Sequence, residues 1–208
     1  MKLPLAALVV ACLFGVGCRD VAPDPSIPVP NAATPAKAEP APEGPVIATQ
    51  PFDGGTMRLH AAATDTAQLW WTPSDGPARH IACDRLVGAW GLWTDDVDGD
   101  GHVEILVALH KRAKFDDRLE NRLHVYGIER GRCVPAWRGT RLAGRFDALR
   151  VDPDLPGTIV VSERLGPTRR RVARYRWNDF GYRVDDVLWQ GTTEPPAALM
   201  RDLEPAPT

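Results

Sequence analysis

Asp96, Asp98, Asp100 and Glu104 fall within one short stretch, Thr94-Asp95-Asp96-Val97-Asp98-Gly99-Asp100-Gly101-His102-Val103-Glu104. Carboxylates at alternate positions point inward when a loop wraps an ion, and an all-oxygen donor set suits a hard cation such as calcium. Gly101 permits a sharp turn after the third acid. The backbone carbonyl of His102 then faces the ion, and Glu104 closes the shell from the start of the next strand. The competing reading is a solvated acidic turn, because Asp-Gly pairs are ordinary turn residues. Against it, carboxylates packed this closely without a cation repel one another. The stretch is not an EF-hand: that motif needs a bidentate Glu at its twelfth position, which is Val107 here.

Other chemistry is weakly represented. His60, His80, His102, His110 and His124 are scattered, with no pair at helical spacing. His110 and His124 are placed to lie across a hairpin, where a surface role is expected rather than metal binding. No serine sits in a Gly-x-Ser-x-Gly elbow. Using the loop acids as a glycosidase pair conflicts with their commitment to a metal, which holds them ionised. No enzyme is therefore expected, and a carbohydrate-active one is the alternative. Arg164, Arg169-Arg170-Arg171 and Arg174-Tyr175-Arg176-Trp177 form a basic stretch. It reads as the solvated tip and outer face of a hairpin, with an acidic glycan or lipid phosphate as the other possible use. The formal net charge of −2 implies neither nucleic acid nor an anionic membrane surface as partner.

The elements that carry the loop are strands. Val103, Ile105, Val107 and Leu109 share one face by period two, and Glu104, Leu106, Ala108 and His110 share the other. Both faces are largely apolar, which predicts an inner strand between neighbouring sheets. The block from Val97 to Val107 lies without a gap over Val151 to Val161, 54 residues later. Each leads to an alternating segment, a polar turn and a second alternating segment: Leu123 to Ile128 and Cys133 to Trp137, then Val172 to Trp177 and Phe180 to Val184. A vaguer copy precedes them, with Gly55 to Leu59, Gln68 to Thr72 and His80 to Cys83. No amphipathic helix of useful length is legible. The expected fold is all-β, a partial propeller-like array of about three four-stranded repeats near 45–88, 89–142 and 143–191, with a β-sandwich as the alternative. Three units leave strand edges open, so either the termini cap the array or a further copy or chain completes it. In the third unit the metal set is lost: Arg150 stands for Asp96, Leu155 for Gly101 and Thr158 for Glu104. Arg150 then either pairs with Asp152 and Asp154 or faces solvent. Core packing is the expected role of most of the seven tryptophans.

The short loop closure, the following strand Val103-Glu104-Ile105-Leu106-Val107 and the repeat length resemble the calcium loops of FG-GAP/VCBS repeats. That resemblance implies an integrin-α-like propeller repeat, calcium as the cofactor, and Asp96, Asp98, Asp100, His102 and Glu104 as its site. Glu104 departs from the commoner Asp but supplies the same oxygen chemistry.

The N-terminus carries Lys2 and then an apolar run from Leu3 to Val16, the pattern of a secretory signal. Gly15-Val16-Gly17-Cys18 resembles a bacterial lipobox, with Gly15 where Leu is usual. Cys12 and non-lipid secretion are the alternatives. A lipid on Cys18 implies anchoring in the cell envelope, and Arg19 after it fits the outer membrane. Residues 19–45 are rich in Pro, Ala, Asp and Glu and read as a disordered tether. The domain is expected over 46–191, and 192–208 reads as a disordered tail. In an oxidising compartment, Cys83 and Cys133, each after a hairpin turn in neighbouring repeats, are expected to form a disulfide. The reading as a whole is a non-enzymatic, calcium-binding envelope lipoprotein that binds a protein or a glycan, on the periplasmic side or the surface. Mass spectrometry of the mature N-terminal peptide should find a lipidated Cys18; a free amino terminus at any other residue removes the anchor.

Overall fold

A computed structural model describes residues 42–63, 65–139 and 142–206. The signal segment 1–18, Cys18 and most of the 19–45 tether lie outside the described residues. The fold is all-β. It contains three antiparallel meanders. The first is β1 (Val46–Phe52), β2 (Gly55–Ala62), β3 (Thr66–Pro73) and β4 (Arg79–Val87). The second is β5 (Ala89–Asp95), β6 (Glu104–Ala113), β7 (Asp116–Glu129) and β8 (Arg132–Arg138). The third is β9 (Arg145–Val151), β10 (Thr158–Arg164), β11 (Arg170–Trp177) and β12 (Tyr182–Gly191). These coincide with the repeats read from sequence.

Turn chemistry sets the hairpins. Asp53-Gly54 and Arg130-Gly131 are two-residue connections, and all four residues have positive φ. That is the geometry whose twist matches the flanking strands. The first and second meanders join into one eight-stranded sheet through a single parallel contact, Ala82 against Arg132, in the order β1-β2-β3-β4-β8-β7-β6-β5. At its other end β1 lies beside β5, where the Thr94 hydroxyl donates to the Pro51 carbonyl at 2.9 Å. The third meander forms a separate sheet.

Period two in β6 divides its side chains between two cores. Ile105, Val107 and Leu109 join Met57, Leu59, Leu69, Ile81 and Leu86 in a core shared with the first meander. Leu106 and Ala108 join Phe146, Leu149, Ile159, Val161 and Ala173 in a core shared with the third. The expected inner strand is thus present, except that it begins at Glu104 and leaves Val103 exposed. All seven tryptophans are buried or half-buried. Trp70 and Trp71 point to opposite faces: Trp71 packs on the first core and Trp70 against His80 at 5.5 Å between ring centroids.

The C-terminal reading is corrected. Residues 192–206 do not form a disordered tail. A short helical turn α1 (Ala197–Met200) leads to β13 (Glu204–Pro205), which pairs with β9 and extends the third sheet to five strands. Leu199, Met200 and Leu203 cover Ala148, Val160 and Val172 on the face turned away from the second meander. Apolar residues among the prolines give this segment something to bury, which composition averaged over the tail conceals. The terminus thereby caps the array. At the opposite edge, β12 carries Arg183, Asp185 and Asp186 and two register shifts against β11, which blunt it against edge pairing.

Two histidines, His60 and His124, are buried, and for His124 this corrects the expected surface role. His60 donates from Nδ1 to the Gly44 carbonyl at 3.0 Å. His124 lies 2.9 Å from the Tyr126 hydroxyl, while His110 faces Asn121 instead of His124. Burial, with Lys111, Arg138 and Arg122 adding to it, lowers the His124 pKa to about 4. A folded pKa below the unfolded one means that stability is complete above pH ~6.5 and is lost as pH falls toward 4. Between pH 7 and 4.5, urea unfolding should show a loss of roughly 2 kcal/mol from this group. His124→Gln, which keeps a partner for Tyr126 without titrating there, should lose that much less; identical pH profiles would contradict the assignment.

Cys83 and Cys133 form a disulfide with Cα atoms 4.7 Å apart, as expected from sequence. It joins β4 to β8 beside their single ladder contact, closing a 50-residue separation. The chain-entropy model allows up to ~4 kcal/mol for such a loop. The Cys83→Ala/Cys133→Ala double variant should melt well below wild type, and thiol counting of the denatured, unreduced domain should find neither of these cysteines free.

Candidate metal centre

The acidic loop leaves β5 after Asp95 and re-enters the sheet at Glu104, which sits opposite Asp95 in the ladder. Its shape follows from carboxylates binding backbone amides. Asp96 accepts from Gly99 N at 2.8 Å through one oxygen and from Gly101 N at 3.1 Å through the other. Asp98 accepts from Asp100 N at 3.2 Å, and Asp100 from His102 N at 2.8 Å. Gly99 and Gly101 have φ of 78° and 87°, so both occupy the left-handed region that glycine adopts without strain.

Asp96, Asp98 and Glu104 each offer an oxygen, and the three oxygens lie within 4.8 Å of one another. An oxygen-only set of this kind suits a hard cation. Asp100 stands outside that group and acts on the His102 amide. His102 is exposed at the rim. Glu104 is the buried member, and its Oε2 accepts from Val97 N at 2.9 Å. Burial raises the Glu104 pKa to about 6, and Asp98, Asp100 and Asp96 push it the same way against the Val97 amide. Burial, then Asp96, also raises Asp95. A divalent cation among these oxygens would reverse the repulsion.

Three residues that sequence reasoning did not assign complete the surroundings. Asp95 accepts from Gly157 N at 2.7 Å, linking the loop to the third meander. Tyr182 is 8% exposed, its hydroxyl has no hydrogen-bond partner, and burial with the charges of Asp95 and Glu104 holds its pKa well above the usual value. Asp95 was visible as one more acid in the run and Gly157 as a repeat glycine. Nothing local marked Tyr182.

The third meander's copy of the loop is neutralised differently from either expectation. Arg174, from β11, stands 3.7 Å from Asp152, and the buried Nε of Arg150 has no partner. The basic stretch is exposed at Arg164, Arg169 and Arg176, as expected of a hairpin's tip and outer face, but most of its arginines are paired. Arg164 and Arg170 pair with Asp147, Arg170 also with Glu194, and Arg176 with Asp185. Arg171 donates from Nε at 2.8 Å to Glu163, which is fully buried and also receives the Tyr175 hydroxyl and Gly144 N. Among the described residues no helix is long and apolar enough to cross a membrane. No family model matches this chain, and no curated protein matches it either.

Proposed function

We propose that the chain is a non-enzymatic, calcium-binding module of the FG-GAP/VCBS kind, held in a bacterial cell envelope by a lipid on Cys18 and engaging an envelope protein or glycan. The observation that carries the calcium reading is the convergence of Asp96, Asp98 and Glu104, one of them buried, with oxygen as the only donor type. Calcium takes six to eight oxygens, so backbone carbonyls and water complete the shell. Its charge offsets the mutual repulsion that adds to burial in raising the Glu104 pKa. The role is structural: an ion bound to the folded loop alone adds RT ln(1 + [Ca]/Kd) to stability.

Extracellular calcium modules bind at roughly 0.1 to 1 mM. At calcium tenfold above Kd the gain is about 1.4 kcal/mol, a rise of a few degrees in Tm. Thermal melting in chelator and in millimolar calcium measures it. Asp98→Ala should abolish the rise, Asp100→Ala should retain part of it, and Asp152→Ala should keep it while lowering both melting temperatures. Equal wild-type melting temperatures, with no heat on titration, would reduce the loop to an acidic turn.

A further inference from the structure

The intact loop of the second meander and its degenerate copy in the third are in direct contact. Gly157, which ends the 152–157 loop, donates its amide to Asp95 Oδ2 at 2.7 Å, immediately before Asp96. Its carbonyl accepts from Trp177 N at 2.8 Å, which ties it to β11. A Cβ on Gly157 would stand 2.5 Å from the Val97 carbonyl oxygen, and its φ is +70°. The site therefore requires glycine for both conformation and close approach. Val97 in turn is buried in the core between the second and third meanders, and its amide holds Glu104 at 2.9 Å. The residues on either side of Asp96 are thus held by the third sheet, and one of them holds Glu104.

We infer that Asp95 and Gly157 are positioning residues for the cation: docking of the degenerate 152–157 loop sets the spacing of Asp96 and Glu104, and cation binding tightens the seam between the second and third meanders. The inference rests on the calcium reading of the loop. Linkage makes the effect reciprocal: whatever factor docking contributes to cation affinity, the cation returns to docking. The lost metal set of the third unit is then a changed use. A loop that has lost part of its acidic set is free to present a backbone amide to its neighbour.

The test uses the full chain and calcium itself, with titration calorimetry for Kd and amide hydrogen exchange for the seam. Calcium should slow exchange at the Gly157 and Trp177 amides in wild type. Asp95→Ala and Gly157→Ala break the same hydrogen bond from opposite ends, and each should weaken calcium binding about tenfold. Gly157→Ala keeps the Asp95 charge, so its loss reports position and not electrostatics. The double variant should bind no worse than the weaker single one. Asp95→Asn, which keeps an acceptor oxygen, should restore the calcium-dependent protection at Gly157. If Gly157→Ala does not fold, the comparison of Asp95→Ala with Asp95→Asn decides. Kd values within twofold of wild type in both alanine variants, or exchange at Gly157 that ignores calcium, would overturn the coupling while leaving the calcium site in place. A wild-type chain that binds no calcium would remove the calcium reading, and the coupling with it.

Discussion

Strand β6 is buried on both faces over most of its length, and the arrangement of the other meanders follows from that. β6 places Ile105, Val107 and Leu109 in one core and Leu106 and Ala108 in the other. A strand with two apolar faces cannot satisfy both by packing on a single neighbour. Fully burying a side chain of this size is worth about 1.5–3 kcal/mol, so exposing either face would cost several times that. The first and third meanders are therefore required partners. The outer face of the third is closed in turn by Leu199, Met200 and Leu203.

Polar groups fix the register where apolar packing alone would let the sheets slide. Glu163 is fully buried, and its oxygens receive Arg171, Tyr175 and the Gly144 amide. Those bonds tie β10 and β11 to the segment that enters β9. Burying a carboxylate is costly unless it is paired and hydrogen-bonded, so the network is stabilising only when complete. Arg122 is another buried charge, held by Asp116 at 3.1 Å and by the Arg118 carbonyl at 3.1 Å. Both networks hold strand ends and connections, where ladder bonds run out.

The acidic loop is the opposite case, a charge cluster left without a cationic side chain. Asp96, Asp98 and Glu104 converge, and burial, with the neighbouring acids adding to it, raises the Glu104 pKa. In the third meander the same position is balanced by Arg174 across the sheet. The equivalent loops thus differ in their electrostatics. Asp152 meets a protein cation, whereas Asp96, Asp98 and Glu104 of the second loop meet one another's oxygens.

Much of this was legible in the chain alone, because the signals are local. Period two placed β6 between two apolar cores, Asp-Gly and Gly marked the turns and the loop, and the 54-residue spacing revealed the meanders. The Cys83–Cys133 pairing followed from equivalent positions in adjacent repeats. What sequence could not supply depends on side chains that meet across sheets. Composition read 192–208 as a tail, although Leu199, Met200 and Leu203 find an apolar face formed by β9, β10 and β11. The basic stretch keeps the exposure expected at Arg164, Arg169 and Arg176, but the pairing of Arg164 and Arg170 with Asp147 depends on β9 lying beside β10. The contact of Gly157 with Asp95 spans 62 residues and exists only once two meanders have packed. Spacing along one strand is set by backbone geometry and can be read directly. Which charges and surfaces face each other across a seam is set by how whole sheets stack, and that is decided by the sum of all their contacts.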